Sequence, residues 1–411
     1  MSKVTIKMEV DTHRKLLEIV SRLQLKKKRR VTIDEAISYK FRLYPSKHIE
    51  AKLNEQLELC RWLYNKLLEE VNKARKERRK LKPKDTQALI VKLKQEKPEL
   101  KKVYSKVLQM VNYQLWNNIK ALNELRKKGR KVGWLRYKTG NSFKTLNFNQ
   151  SGFRIKGSKL ILSKVGEMRI KLHRAIKGKI KGIIIKRARS GKWYAIVQVE
   201  DKPKPLPKTG KAIGIDVGIR FFLTDSEGRQ VENPKFYERT LKRIRIEQRR
   251  LSRKKEGSRN YEKQRRKLAK AYEKLVNQRN DFLHKLSRFY VNNYDVIVVE
   301  DLQIQNMVQN GNLAQKILDA SWGKFIAMLS YKAERAGRRV IKVNPKGTSK
   351  GLSYKNKLRD YISACRILMR GWDSPDSLLE RRPLPRTISY KKVVSGQVFS
   401  MNQEAPCISG E

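Results

Sequence analysis

The segment YDVIVVEDLQIQNM, residues 294–307, decides the fold of the second half of the chain. Its run 296–299 is apolar and β-branched, which is typical of a strand buried on both faces, and it ends in two adjacent carboxylates, Glu300 and Asp301. Successive strand residues point to opposite faces, so these two acids do not share one environment. Strand-end acids either face solvent, as we expect of Asp301, or build a site at the sheet edge.

Two further acids could join Glu300 at that edge. Asp216 lies inside the predicted strand KAIGIDVGI, and Asp360 opens the predicted helix RDYISACRILMRG. Strand ends and helix starts meet at one edge of α/β sheets. Converging carboxylates repel one another without cations, and two Mg²⁺ ions ~3.5–4 Å apart would neutralise them and suit phosphodiester chemistry. The ordinary alternative for Asp360 is a helix cap, whereas an unpaired Asp216 would be costly to bury.

The charge of the chain indicates a nucleic-acid partner. Its 411 residues include 98 Lys and Arg against 39 Asp and Glu, a net charge of +59. Such an excess repels itself unless a polyanion neutralises it. A membrane surface is the weaker alternative, because no apolar stretch approaches the ~20 residues of a span. The N-terminus lacks the apolar core of a targeting signal, so we expect a cytoplasmic protein.

Cysteine and histidine are too scarce and too scattered for several chemistries. Cys60, Cys365 and Cys407 form no CxxC pair, so no structural zinc site is expected. Cys60 shares helical spacing with Leu57 and Leu63, which favours a small buried hydrophobe over a reactive thiol. Any chemistry therefore falls to carboxylates.

Residues 1–38 read as a separate basic arm. A strand-like start is followed by a helix after Asp11 and by a second helix that opens at Thr32, where Glu35 completes a capping box. This order resembles a ribbon-helix-helix DNA-binding arm. The alternative is a basic extension that packs on the main body.

Residues 39–200 predict an α+β unit. A strand ends before Ser46, which can cap a long helical segment, and strands are predicted in VGWLRYK (132–138), LILS, GIIIK and WYAIVQVE. Aromatic side chains in these strands could stack on bases or could belong to the core. They are Trp134, Tyr137, Trp193 and Tyr194.

The second half predicts a different architecture. The proline-rich segment 201–210 is a predicted linker, and strands alternate with helices over 211–371, which implies an α/β domain with a mixed sheet. A long basic helix is predicted from Phe236 to Tyr290 with a break near Gly257. Residues 372–411 are predicted to be an irregular tail.

Several segments, in chain order, resemble one known family. GIDVGIRFFLTDSEG, LSRKKEGSRNYEKQRRKL, NQRNDFLHKLSRFYV, VIVVEDLQIQNM, LSYKAERAG and VNPKGTS closely resemble the TnpB (OrfB) proteins of insertion-sequence transposons, relatives of the type V CRISPR effector nucleases. Upstream, YKFRLYPS with Arg61, Tyr64 and Asn65, and GWLRYK, resemble the N-terminal half of that family. The resemblance spans about residues 39–371.

The resemblance implies a fold, an activity and partners. It implies a wedge-type β domain over 39–200 with a helical recognition insert at about 46–130, and a RuvC-like (ribonuclease-H-like) nuclease domain over 211–371. It implies Mg²⁺-dependent DNA cleavage directed by a guide RNA from the transposon end. By motif, Asp216, Glu300 and Asp360 take the catalytic and metal-binding positions.

Basic side chains are expected to contact phosphates, the alternative being a solvated helix face. These nucleic-acid-binding candidates are Arg253, Lys254, Lys255, Arg259, Lys263, Arg265, Arg266, Arg136 and Lys138.

One departure from the family pattern favours a different function. The four-cysteine zinc ribbon of the family is missing, since the segment between Ser349 and Asp360 has no cysteine, and no asparagine stands two positions after Asp360. The alternative to the nuclease is a non-cleaving nucleic-acid-binding protein, either a decayed copy or an RNA-guided repressor. Direct strand transfer is a third possibility with similar metal chemistry.

Overall fold

The computed structural model describes residues 36–140, 142–200, 204–309, 311–353 and 358–372, and the backbone of 386–388. The predicted N-terminal arm thus lies outside the described residues except at positions 36–38. The chain divides into two compact units, with the boundary between residues 202 and 203.

An antiparallel sheet forms the centre of the first unit. In the described residues its strands are β1 (Ala36–Tyr44), β2 (Thr145–Asn149), β3 (Phe153–Lys156), β4 (Lys159–Leu162), β5 (Gly166–Lys171), β6 (Lys179–Arg187) and β7 (Trp193–Glu200). Their order in the sheet is β2-β6-β7-β1-β5-β4-β3. Every second residue of β7 is buried, so one face of the sheet packs on the core and the other points outward.

A helical segment connects β1 to β2 and covers the inner face of that sheet. It contains α1 (Lys47–Lys76), α2 (Pro83–Glu96), the 3-10 helix Pro98–Lys102 and α3 (Ser105–Lys127). Ser46 caps α1 as predicted, because its hydroxyl oxygen accepts a 3.3 Å hydrogen bond from the backbone N–H of Ile49. Cys60 is fully buried on the apolar face of α1, and burial raises the pKa of its thiol. It is therefore the small hydrophobe that the helical spacing predicted.

Two predicted elements of the first unit are wrong. Residues 36–39 of the helix predicted from Thr32 belong instead to β1 and pair along β7, with Ala36 opposite Glu200, whereas Thr32 lies outside the described residues. At residues 36–39 this long-range pairing outweighs the local preference for a helix. Residues 132–138 form a loop and not a strand, because side chains of α1 take the backbone polar groups of Lys138.

The second unit is built on a mixed sheet, as predicted. Its described strands are β8 (Ala212–Val217), β9 (Phe221–Asp225), β10 (Arg229–Glu232), β11 (Val296–Glu300), β12 (Arg339–Val343) and β13 (Arg386–Ile388), in the order β12-β11-β8-β9-β10-β13. Strand β11 runs parallel to both β8 and β12, whereas β8, β9 and β10 are antiparallel in sequence. The tail predicted to be irregular contributes β13, parallel to β10. A strand of three residues is too short to show a period in sequence.

Helices cover both faces of this sheet. They are α4 (Phe236–Ser252), α5 (Arg259–Asn293), α6 (Ile304–Met307), α7 (Gly311–Ala320), α8 (Trp322–Arg335) and α9 (Arg359–Gly371). On one face, Ile215 and Val299 share a core with α5 and α8, and on the other, Val298 packs against Ile367 and Leu368 of α9. This double coverage explains the unbroken apolar run of β11. No helix in the described ranges has the length and apolar character needed to cross a membrane.

Candidate active site

Asp216 and Glu300 lie side by side on neighbouring parallel strands. The register of β8 and β11 pairs Ile213 with Ile297 and Ile215 with Val299. Continued by one residue, it sets Asp216 beside Glu300, on strands ~4.8 Å apart. Because the two positions are in register, their side chains leave the same face of the sheet.

That face is the one covered by α9. A Cβ atom added to Gly214 would lie 2.2 Å from the carbonyl oxygen of Ala364, and one added to Gly371 would lie 2.4 Å from a methyl carbon of Val298. These two glycines let α9 lie directly on β8 and β11. Helix α9 begins at Arg359, so Asp360 stands in its first turn.

The electrostatics place the three acids in one neighbourhood. Burial raises the pKa of Asp216 from 3.8 to about 8, and the negative charges of Glu300 and Asp360 add to the increase. The guanidinium of Arg359 acts in the opposite direction. Desolvation of the carboxylate is the main cause of this increase in pKa, and repulsion by the two neighbouring carboxylates acts in the same direction.

Glu300 is held by a residue that the sequence analysis did not single out. The buried hydroxyl of Thr348 donates a 2.7 Å hydrogen bond to Oε1 of Glu300. Burial raises the pKa of Glu300, while this hydrogen bond and the charge of Arg370 oppose the increase. The quoted segment VNPKGTS contains Thr348, but nothing in its spacing pointed to Glu300.

The loop that carries Thr348 is also tied to α9. Arg366 donates to the carbonyl oxygens of Thr348 (3.2 Å) and Lys350 (2.8 Å), and the hydroxyls of Ser349 and Ser363 lie 3.0 Å apart. Residues 344–350 therefore join the end of β11, which carries Glu300, to the helix that carries Asp360.

Of the ordinary roles considered for these acids, solvent exposure applies to Asp301, and helix capping does not apply to Asp360. Asp301 is exposed and lies 3.5 Å from the Nζ of Lys342, which confirms that it faces solvent. The N-cap of α9 is Leu358, and no side chain caps this helix, so Asp360 is not its cap. As an acid in the first turn, Asp360 instead lies in the favourable field of the helix dipole.

A second buried acid in this unit has a structural role. Asp225 is fully buried and accepts hydrogen bonds from Nε of Arg229 (2.7 Å) and from the hydroxyl of Tyr290 (2.9 Å). Burial raises the pKa of Asp225, and Arg229 and Tyr290 act to lower it. The carboxylate of Asp225 is thus satisfied by side chains of the fold, whereas no such hydrogen bond contributes to the pKa of Asp216.

The donor set of Asp216, Glu300 and Asp360 matches the needs of a hard divalent cation. Carboxylate oxygens are the preferred protein ligands of Mg²⁺, and the negative charges of Glu300 and Asp360 add to the effect of burial in raising the pKa of Asp216. Among the described residues, no three His, Cys, Asp or Glu side chains are gathered tightly enough to hold a metal ion as they stand. Asp216, Glu300 and Asp360 would have to draw together on binding.

The predicted phosphate-binding residues of the second unit lie at the tip of a helical hairpin. Helices α4 and α5 are joined by residues 253–258, where Gly257 adopts φ +80°, at the predicted break. Gln264 donates to Oε2 of Glu247 across the two helices (2.6 Å). The side chains displayed outward are Arg253, Lys254, Lys255, Arg259, Lys263, Arg265 and Arg266, of which Arg265 pairs with Glu262.

The two candidates in the first unit differ in their surroundings. Arg136 is exposed, whereas Lys138 is half-buried and faces α1. Asn65 accepts from the Lys138 N–H (2.8 Å), Arg61 donates to its carbonyl oxygen (2.8 Å), and its Nζ lies 5.4 Å from the centre of the Tyr64 ring. Lys138 is thus a loop anchor, and the Arg61 and Asn65 of the family resemblance hold it in place.

The aromatic residues of this unit also divide. Trp193 is buried in the core, and Trp134 is partly buried, with its Nε1–H donating to Oδ1 of Asn72 (2.7 Å). Tyr137 is exposed, and Tyr194 is half-buried on the outer face of the sheet. Trp193 therefore belongs to the core, whereas the exposed ring of Tyr137 is accessible for stacking.

The fold and the site define a class of protein: a strongly basic chain whose mixed α/β unit carries three neighbouring carboxylates at one edge of its sheet. Relatives narrow the class to a family. A Streptomyces pristinaespiralis protein named "Putative RNA-guided DNA endonuclease" is 32% identical over 314 residues, 75% of this chain and 77% of that protein. The chain belongs to the TnpB (OrfB) family of transposon-associated proteins.

Two further proteins match parts of the chain. The Escherichia coli (strain K12) protein "Putative RNA-guided DNA endonuclease InsQ" is 29% identical over 232 residues, 51% of this chain and 58% of that protein. A solved structure described as "Cryo-EM structure of the Cas12f1-sgRNA-target DNA complex" covers 81% of this chain and 98% of its own, with 13% identity and a TM-score of 0.48.

Family models match three spans. They are a "Probable transposase" model of the OrfB_IS605 type at residues 195–311, a "Helix-turn-helix domain" model at 36–80 and a "Cas12f1-like, TNB domain" model at 322–373. In the structure, 36–80 comprises β1 and the single 30-residue helix α1, with no second helix. The span 322–373 contains one cysteine, Cys365.

Proposed function

We propose that this chain is an RNA-guided DNA endonuclease that hydrolyses a phosphodiester bond at Asp216, Glu300 and Asp360. The observation that carries the proposal is that Asp216 and Glu300 leave the sheet face covered by α9, while Asp360 stands in the first turn of that helix. Antiparallel β10-β9-β8 followed by parallel β11 and β12 is the strand pattern expected of a RuvC-like, ribonuclease-H-like sheet. The names of the relatives support the same activity.

Mg²⁺ is the proposed cofactor, held by the carboxylates of Asp216, Glu300 and Asp360. When bound, such ions supply charge neutralisation at the scissile phosphate and a nucleophile at neutral pH. Thr348 orients the Glu300 carboxylate through its 2.7 Å hydrogen bond. Asp216 must lose a proton to act as a ligand, because its pKa of about 8 keeps it largely neutral at pH 7.

The basic surface is proposed to hold a guide RNA from the transposon end and its DNA target. Base pairing would supply sequence specificity, and the protein would contact the backbones. The hairpin tip of α4 and α5 offers exposed cations for this role. Contacts of this kind release counterions, so binding should weaken steeply with salt, with a log–log slope of about −0.7 to −0.9 per phosphate contacted.

The test is a cleavage assay with the full chain. Protein co-expressed with the DNA that flanks its gene would be purified with its bound RNA, and that RNA would be sequenced. A matched and a mismatched DNA duplex would then be incubated with the complex and Mg²⁺. We expect cleavage of the matched duplex alone, lost in Asp216→Asn and retained in Asp301→Asn, whose acid is adjacent to the site but exposed.

A second candidate function, a non-cleaving RNA-guided binder, is favoured by one observation. The span 322–373 has a single cysteine and cannot carry the four-cysteine ribbon of the family. The same assay separates the two functions. Tight binding of the matched duplex with no cleavage at any Mg²⁺ or Mn²⁺ concentration would overturn the nuclease and leave the binder.

A further inference from the structure

The outer face of the first unit's sheet carries cations and aromatic rings in register. The strand pairing sets Lys186 of β6 beside Tyr194 of β7, Tyr194 beside Arg42 of β1, and Arg42 beside Lys171 of β5. Residues directly opposite in register leave the same face. A single row across four strands thus reads cation, ring, cation, cation.

Contacts within this row fix the central side chains. The guanidinium of Arg42 lies 5.2 Å from the centre of the Tyr44 ring and 5.4 Å from that of Tyr194, and its Nη1 donates a 2.9 Å hydrogen bond to the carbonyl oxygen of Trp193. Lys40 places its Nζ 4.1 Å from the centre of the Tyr194 ring. Rings and guanidinium held in this way form a preorganised surface, which lowers the entropy cost of binding.

The surface is open and positive. Lys171, Lys186 and Arg169, which pairs with Tyr44, are exposed, and 49% of Tyr44 is exposed. The described acids on this face lie away from the central row and are neutralised: Glu167 pairs with Lys159 (2.9 Å) and Glu200 with Lys181 (2.6 Å). The centre of the face therefore complements a polyanion.

We propose that this outer face binds an unpaired stretch of the guide RNA. Bases would stack on Tyr44 and on the Arg42 guanidinium, and phosphates would contact Arg169, Lys171 and Lys186. Stacking platforms of aromatic rings and arginine on a sheet suit single strands, because a duplex hides its base faces. Beyond the pair of Lys40 and Ile196 on this face, Ser38 lies opposite Gln198, and their hydroxyl and amide groups suit a ribose 2′-hydroxyl.

This inference rests on the proposed function, which supplies the RNA, but it is tested separately. The probe is a fluorescein-labelled single strand of 20 adenosine ribonucleotides, titrated with the full chain, and the matching deoxyribonucleotide strand and an RNA duplex are compared. The sheet variant reverses three exposed charges, and the control variant makes the same charge change on α2 and α3. The sheet variant is Arg169→Glu, Lys171→Glu and Lys186→Glu, and the control is Lys84→Glu, Lys92→Glu and Lys120→Glu.

We expect the sheet variant to bind the RNA strand at least tenfold more weakly than the control, with a salt slope lower by ~2, as three lost phosphate contacts require. Tyr44→Ala should lose about tenfold, and Tyr44→Phe should bind like the native chain, because stacking and not the hydroxyl carries the contact. Equal losses in the sheet and control variants, or equal losses in Tyr44→Ala and Tyr44→Phe, would overturn the proposal. Tighter binding of the DNA strand or of the RNA duplex would overturn the assignment to unpaired RNA.

The two proposals fail in different ways. If the native complex cleaves matched DNA but the sheet variant binds the RNA strand as the control does, only the RNA platform is wrong. If no matched DNA is cleaved but the sheet variant alone loses the RNA strand, only the endonuclease is wrong.

Discussion

Replacing Asp216 with asparagine should stabilise the metal-free protein at neutral and alkaline pH. In the fold the pKa of Asp216 is about 8, against 3.8 for an ordinary aspartate, because burial and then the charges of Glu300 and Asp360 disfavour the carboxylate. The unfolded chain gives up this proton near pH 4. The native fold therefore loses stability as the pH rises from about 4 to about 8, and the loss is constant above that.

The size of the effect follows from the same two values. The gap between 3.8 and about 8, at ~1.4 kcal/mol per pH unit, sets a ceiling of about 6 kcal/mol. Asp216 is only half-buried by its accessible surface, so solvent screens part of this, and we expect Asp216→Asn to gain about 2–3 kcal/mol at pH 9. The gain should vanish near pH 4.

This gain can be measured by pulse proteolysis in urea at pH 5, 7 and 9, with a metal chelator present. Mass spectrometry of peptides from residues 204–372 then reports the unfolding of the second unit. Asp301→Asn is the matched control and should stay within about 0.5 kcal/mol of the native chain at each pH, since Asp301 is exposed. A pH-independent difference for Asp216→Asn, or a variant less stable than the native chain at pH 9, would refute the electrostatic reasoning.

Three further perturbations test other parts of the site. Gly214→Ala should lower the stability of the second unit by at least ~1–3 kcal/mol in urea unfolding, because the new methyl group would lie 2.2 Å from the Ala364 carbonyl oxygen; unchanged stability would contradict the close packing of α9. Thr348→Val should weaken Mn²⁺ binding in calorimetry ~10–100-fold, and Thr348→Ser should retain it, since the hydroxyl is what orients Glu300; equal binding by both would refute that role. Raising salt from 50 to 200 mM should weaken the affinity of the protein for the RNA that is purified with it by orders of magnitude. An affinity that does not change with salt would contradict the polyanion argument drawn from the net charge of +59.

The sequence predicted the mixed sheet because its strands have strong local signatures. The apolar run before Glu300 and the run around Asp216 each form a strand, and their register brings the two acids together. The helix from Arg359 to Gly371 has the predicted bounds, because its apolar spacing is local and its end is marked by glycine. The sequence did not predict that α9 packs on this face of the sheet, because that packing depends on close contacts at Gly214 and Gly371.

Apart from β13, which is too short to show a period, the features that the sequence did not predict depend on partners that are distant in sequence. Residues 132–138 have alternating hydrophobicity, yet Arg61 and Asn65 of α1 take the backbone groups that a strand would need. The sequence did not single out Thr348 because its partner, Glu300, is 48 positions away. The outer row around Arg42 was hidden for the same reason, since its members come from four separate strands.

The most direct test of the central claim is anomalous X-ray diffraction from crystals of the full chain grown with Mn²⁺ above pH 8, where Asp216 is ionised. The account predicts an anomalous peak within coordination distance of the carboxylate oxygens of Asp216, Glu300 and Asp360, and its absence in Asp216→Asn crystals. Manganese bound elsewhere, or three carboxylates that remain apart at saturating Mn²⁺, would contradict it.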